Sequence, residues 1–144
     1  MTRLSEFSAQ WLAQREPLDA ASRCAELGGK LRTQARGAHG RHHLPIVDLG
    51  AGTGANLRYS APVIAGSQDW LLVDRDVSLL ATVADRMRAW GPGSHSSVAD
   101  RQGYLQIHGI DFDCRVRHTA LDLGAQLDAG PLEDIRGRYP KVAM

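Results

Sequence analysis

Two cysteines, no long apolar run and almost no excess of either charge are the first things the 144-residue chain withholds. Cys24 and Cys114 lie far apart, without the short spacing of metal-ligating pairs, which argues against a zinc site and a disulfide framework. Both are expected as reduced thiols in a cytoplasmic protein. A net charge of +1 supplies no electrostatic case for binding nucleic acid or an anionic membrane surface. No segment approaches the length of a membrane span, and the first residues lack the uninterrupted apolar core of a signal peptide, so a cytoplasmic location without membrane association is expected. There is no internal repeat and no low-complexity segment.

What is present is ordinary for a globular protein: 43% hydrophobic and 23% charged residues, enough to bury a core in one domain. His39, His42 and His43 cluster in a Gly/Arg-rich stretch, but with no carboxylate or cysteine nearby a solvated loop is the expected reading and no metal is assigned. Trp11, Trp70 and Trp90 read as packing residues.

Helix and strand alternate along the chain. Leu4, Phe7, Trp11 and Leu12 predict an amphipathic helix over 4–15, interrupted by Pro17. Asp19 is then expected to cap a second helix with Ala21, Cys24, Leu27 and Leu31 on its apolar side, weakened at Gly28-Gly29. A linker over 37–43 leads into a strand over 45–49. The helix after it should be short, because Pro62 falls within it. A second strand over 70–73 ends in Asp74. Asp76 is expected to cap a helix reaching Trp90 with Val77, Leu80, Val83 and Met87 buried, closed by Gly91-Pro92-Gly93-Ser94. A polar loop to about Gln102 precedes strands over 104–108 and 114–121, the latter placing Cys114, Val116, His118 and Ala120 on one face, with His118 a core histidine. Two successive strand–helix units predict a parallel, doubly wound α/β sheet. The chain divides into N-terminal helices and linker (1–44), a nucleotide-binding half (45–123) and an irregular tail (124–144), all in one domain.

The most specific segment is Ile46-Val47-Asp48-Leu49-Gly50-Ala51-Gly52-Thr53-Gly54. A β-branched and aliphatic run ends in an acid, and three glycines follow at alternate positions, as in loops that turn sharply from strand to helix and approach a ligand closely. Two readings fit. As G-x-G-x-x-A, Gly50 to Ala55 matches a dinucleotide fingerprint with Asp74 near the ribose position. As D-x-G-x-G-x-G it starts at Asp48. The second is favoured because Asp48 would repel a pyrophosphate, whereas a ligand bearing an ammonium and a sulfonium would welcome it. No Lys-Ser/Thr pair follows, which excludes a P-loop.

In that second form the segment resembles the first motif of class I S-adenosylmethionine-dependent methyltransferases. Leu71-Leu72-Val73-Asp74 is similar to the second motif of that family, and Ala120-Leu121-Asp122-Leu123 to the third, so the resemblance covers residues 46 to about 123. The segment from Phe7 to Arg23 more loosely resembles the N-terminal helices of small bacterial members. The resemblance implies a Rossmann-like fold with S-adenosylmethionine as cofactor. It implies contacts from Asp48, Gly50, Ala51, Gly52, Thr53, Gly54 and Asn56, with Asp74 accepting from the ribose hydroxyls beside Arg75. It further implies that Asp122 accepts from the adenine amino group while Leu123 lends its backbone N–H. Arg15 would reach the methionine carboxylate only if it were not a solvated helix residue, which is the expected reading.

Methyl transfer from a sulfonium rests on positioning rather than on a protein acid or base, and the sequence advertises no catalytic residue. Family members carry a seven-stranded sheet, but the sequence predicts about four strands, with Val142-Ala143-Met144 the only start of a further one. The acceptor-binding half is therefore expected to be absent, the strand over 45–49 to expose an edge, and the chain to self-associate through it or to pair there with another chain. Three functions stay open: a methyltransferase in truncated form with an unidentified acceptor, a non-catalytic cofactor-binding module, and a nicotinamide-dependent oxidoreductase fragment.

Overall fold

The computed structural model describes residues 7–39, 43–91 and 97–124. Ser8 caps the first helix, α1 (Ala9–Ala21), its hydroxyl accepting from the Trp11 N–H at 3.1 Å. α2 (Ala25–His39) leads to β1 (Leu44–Leu49), and the glycine loop joins β1 to α3 (Ala55–Ile64). β2 (Gly66–Asp74) follows, then α4 (Val77–Ala81), α5 (Val83–Trp90), β3 (Ser97–Arg101), β4 (Tyr104–His108) and β5 (Phe112–Ala120).

The result is α/β, with one five-stranded mixed sheet in the order β1-β2-β5-β4-β3. β1, β2 and β5 run parallel; β5, β4 and β3 are antiparallel. β2, between β1 and β5, is buried without interruption over Trp70, Leu71, Leu72 and Val73, as a strand enclosed on both faces requires. The main core packs Leu57, Ala61 and Ile64 of α3, with Leu80, Val83 and Met87, against Trp70, Leu72, Ile107, Cys114 and Val116. The second face holds a smaller cluster of strand and loop residues alone: Val47, Leu71, Val73, Leu121 and Leu123. The expected sheet was doubly wound and mainly parallel, with about four strands. The five described strands instead end in an antiparallel hairpin, and no described helix joins the second-face cluster.

Three expected helix interruptions do not occur. α1 runs through Pro17, has no buried residue, and leaves Asp19 paired to Arg15 rather than capping α2. α3 runs through Pro62, and its final turn is closed by the side chain of buried Gln68, whose amide donates to the Ala61 and Ala65 carbonyls at 2.9 and 3.1 Å. α2 passes unbroken through Gly28-Gly29; a Cβ at Gly28 would press on Val63 Cγ1 at 3.2 Å, so glycine there admits the neighbouring helix.

The expected helix from Asp76 to Trp90 is broken at Thr82 into α4 and α5, though Asp76 does cap it, accepting from the Ser78 and Leu79 N–H groups. Leu80, Val83 and Met87 are buried as expected, but Val77 is exposed and Leu79 is buried with them. β3 occupies part of the expected polar loop; both its faces are partly solvated, so it lacks an apolar signature. His118 lies in the exposed C-terminal part of β5 and is not a core residue. Cys24 is exposed and Cys114 buried, both as free thiols. Residues 140–144, where a further strand was expected to begin, lie outside the described residues, as do His42 and the loop over 92–96. Among the described residues no helix is long and apolar enough to cross a membrane.

Candidate functional site

The three parallel strands deliver their C-terminal ends to one place. There Gly50 and Ala51 both donate N–H bonds to the Val73 carbonyl, at 2.8 and 3.0 Å, folding the glycine loop over the end of β2. Asp74 completes the junction. Its Oδ2 accepts from Gly52 N at 2.7 Å, its Oδ1 from Asp76 N at 2.9 Å, and its carbonyl from Leu121 N at 2.9 Å. One residue thus holds together the loops that follow β1, β2 and β5. Each carboxylate oxygen uses one of its lone pairs and keeps acceptor capacity.

Gly50, Gly52 and Gly54 all have positive φ, at 74°, 54° and 82°. At Gly54 the demand is also steric: a Cβ would stand 2.7 Å from Met87 Cε in the core. Thr53 and Ala51 point inward and are buried.

The loop opens onto a groove of about 1380 Å³, lined by Gly50, Gly52, Asp74, Arg75, Asp122 and Leu123 among the expected site residues. Leu79, Leu121 and Ser78 add to this wall, while Phe7 and Leu12 line the groove from the N-terminal segment. Typical ligand pockets hold roughly 300–1,000 Å³, so a nucleoside-sized ligand fits with room for a second group. Asp122 is exposed, and its Oδ1 accepts from Gly124 N at 2.9 Å, shaping the turn it sits on.

Five expected contacts do not line the groove: Asp48, Ala51, Thr53, Gly54 and Asn56. Ala51, Thr53 and Gly54 are buried under the loop rather than presented to the groove. Asp48 is 8% exposed beneath the loop; Oδ1 accepts from Asn56 Nδ2 at 3.2 Å, and buried Oδ2 has no hydrogen-bond partner among the described residues. Burial pushes its carboxyl above the ordinary carboxylate value, against the Asn56 hydrogen bond and the Arg23 charge, which pull it down; the Asp74 charge adds to the rise. Arg15 pairs with Asp19 in solvent, as expected of a helix residue.

The sequence reading missed Arg58. Its guanidinium, 4% exposed, donates to both oxygens of Glu16 at 2.6 Å and to the Thr53 carbonyl at 2.7 Å. It thereby joins α1 to the glycine loop. The available signal was an arginine beside the apolar stripe Leu57, Ala61 and Ile64. Among the described residues no group of three His, Cys, Asp or Glu side chains could hold a metal. Comparison of the chain with family models, curated proteins and solved structures returns no match.

Proposed function

We propose that the groove binds S-adenosylmethionine and that the chain forms the donor side of a methyltransferase, on a Rossmann-like arrangement of β1, β2 and β5. The observation that carries this reading is the convergence of Asp74, Asp122 and a positive-φ glycine loop on one groove at the ends of three adjacent parallel strands, with Asp48 buried beneath the loop. Asp74 has the geometry of a diol acceptor, two oxygens already oriented by backbone N–H groups and each with capacity left. Asp122 and Leu123 stand across the groove, where an adenine edge would meet an acceptor and a backbone donor. The buried and unpartnered Asp48 oxygen favours a cationic ligand over a pyrophosphate, since a second negative charge beneath the loop would be repelled.

When bound, S-adenosylmethionine supplies a methyl group already activated by its sulfonium. The protein's task is then to bind, orient and exclude water, for which a preformed loop suffices. Calorimetric titration with S-adenosylhomocysteine and, separately, NADH tests the assignment. Binding of the first but not the second is expected, and the reverse would establish the nicotinamide reading. Asp74→Ala should cost at least about tenfold in affinity, while Asp74→Asn, which keeps one acceptor oxygen, should cost less. Unchanged affinity in Asp74→Ala would remove Asp74 from the site.

A further inference from the structure

Asn56 was expected to touch the cofactor, but it faces away from the groove and serves Asp48. Its Oδ1 accepts two hydrogen bonds, from Arg23 Nη1 at 2.8 Å and from Ser60 Oγ at 3.1 Å. Those donors fix which end of the amide is oxygen, so Nδ2 must point at Asp48 Oδ1. Arg23 is itself steadied by lying over the Tyr59 ring, 4.5 Å from its centroid. The chain of contacts Arg23–Asn56–Asp48 therefore runs from the connection between α1 and α2, through α3, to the end of β1.

We propose that Arg23 and Asn56 are positioning residues for Asp48, fixing one of its carboxylate oxygens beneath the glycine loop and holding its negative charge behind the cationic end of the cofactor bound in the groove. This rests on the cofactor assignment above for the ligand, but the brace itself is a property of the ligand-free chain. Asp48 Oδ2 is buried and has no hydrogen-bond partner among the described residues, so an ionised Asp48 acts on a ligand in the groove through its field rather than by contact. Two charges act on the group: Arg23 favours its ionised form, and Asp74 on β2 disfavours it. Arg23 is thus the described cation that offsets burial, and an Asp48 that picked up a proton would lose its attraction for an ammonium.

The test follows the Asp48 carboxyl carbon by NMR against pH in the ligand-free protein, for wild type, Arg23→Ala, Arg23→Gln and Asn56→Ala, with Arg15→Ala as an exposed-arginine control. Removing Arg23 should move the Asp48 midpoint to higher pH, with Arg15→Ala unchanged. Arg23→Gln, which retains a donor for Asn56 but not the charge, should fall between wild type and Arg23→Ala. In parallel, S-adenosylhomocysteine affinity in Arg23→Ala should drop about tenfold below the shifted Asp48 midpoint and recover as pH rises through it. A merely structural role would weaken binding equally at every pH and leave the midpoint in place. An Asp48 titration identical in Arg23→Ala and wild type overturns the brace, whatever the ligand does. A wild type that binds no S-adenosylhomocysteine, with the midpoint moving as expected, overturns the ligand assignment and leaves the brace standing.

Discussion

Two walls of one groove are built in opposite ways. The glycine loop is bonded into the sheet at Gly50, Ala51 and Gly52, buries Ala51, Thr53 and Gly54, and has its conformation imposed by three positive-φ residues. α1 reaches the groove through Leu12, beside Gly52, yet buries none of its residues. Polar contacts tether it: the Glu16–Arg58 pair and an Arg86 bond to the Ala9 carbonyl at 2.8 Å. A wall held by core packing cannot move without losing buried area, whereas one held by a few polar contacts can shift at a cost of those contacts alone. The difference teaches which side can be preorganised for the invariant part of a ligand and which can adapt to a second group.

Substitution at Gly54 strikes the rigid wall hardest. Gly54→Val must adopt φ near 82° and drive its side chain toward Met87, which should cost about 4 kcal/mol in urea unfolding. A loss below about 1 kcal/mol would mean the loop is not rigid. Next comes the tether of the adaptable wall. Glu16→Ala leaves buried Arg58 with only its Thr53 contacts; because Glu16 is partly exposed, a loss of about 2 kcal/mol is expected, below the range for fully buried pairs. Hydrogen exchange should then rise in α1 while β2 stays protected, and replacing Arg58 by Met in the same protein should recover part of the loss.

A smaller effect, of opposite sign, is expected at Asp48. Asp48→Asn relieves a buried carboxylate and should stabilise the chain by about 1 kcal/mol at neutral pH while weakening S-adenosylhomocysteine binding. Because the folded state raises this group, it binds the proton more tightly than the unfolded chain does. The wild-type penalty is therefore absent below the unfolded value and grows as pH rises through the folded one, so the gain from Asn should vanish in acid. Thermal unfolding of both proteins across pH checks the sign. Smallest of all is Arg15→Ala, which breaks a solvent-exposed pair with Asp19 and should change stability by less than about 0.5 kcal/mol.

Much of the parallel half was legible because its signals are local. An apolar run over 45–49, an acid, and glycines that alone tolerate positive φ mark a strand and a turn without reference to anything distant. Asp76 was readable as a cap for the same reason, its partners being two and three residues away. β3 was not, because a strand solvated on both faces has no periodicity to read. Nor was the unbroken passage of α1 and α3 through proline, since whether a helix continues past one lost N–H bond depends on the packing and solvation of its neighbours.

The sequence by itself determined the order of strand, glycine loop and helix, and the presence of an acid near the end of each parallel strand. Backbone conformation and apolar patterning are short-range, so neighbouring residues suffice to impose them. Only the tertiary structure decided what each acid does. Asp74 ties three loops together, Asp122 shapes an exposed turn, and Asp48 lies buried with one oxygen braced and the other unused. The physical reason is that a carboxylate's behaviour is set by its burial and its donors. For Asp48 these include Arg23, and for the loop beside it Arg58 and Glu16, residues that the fold alone brings within reach.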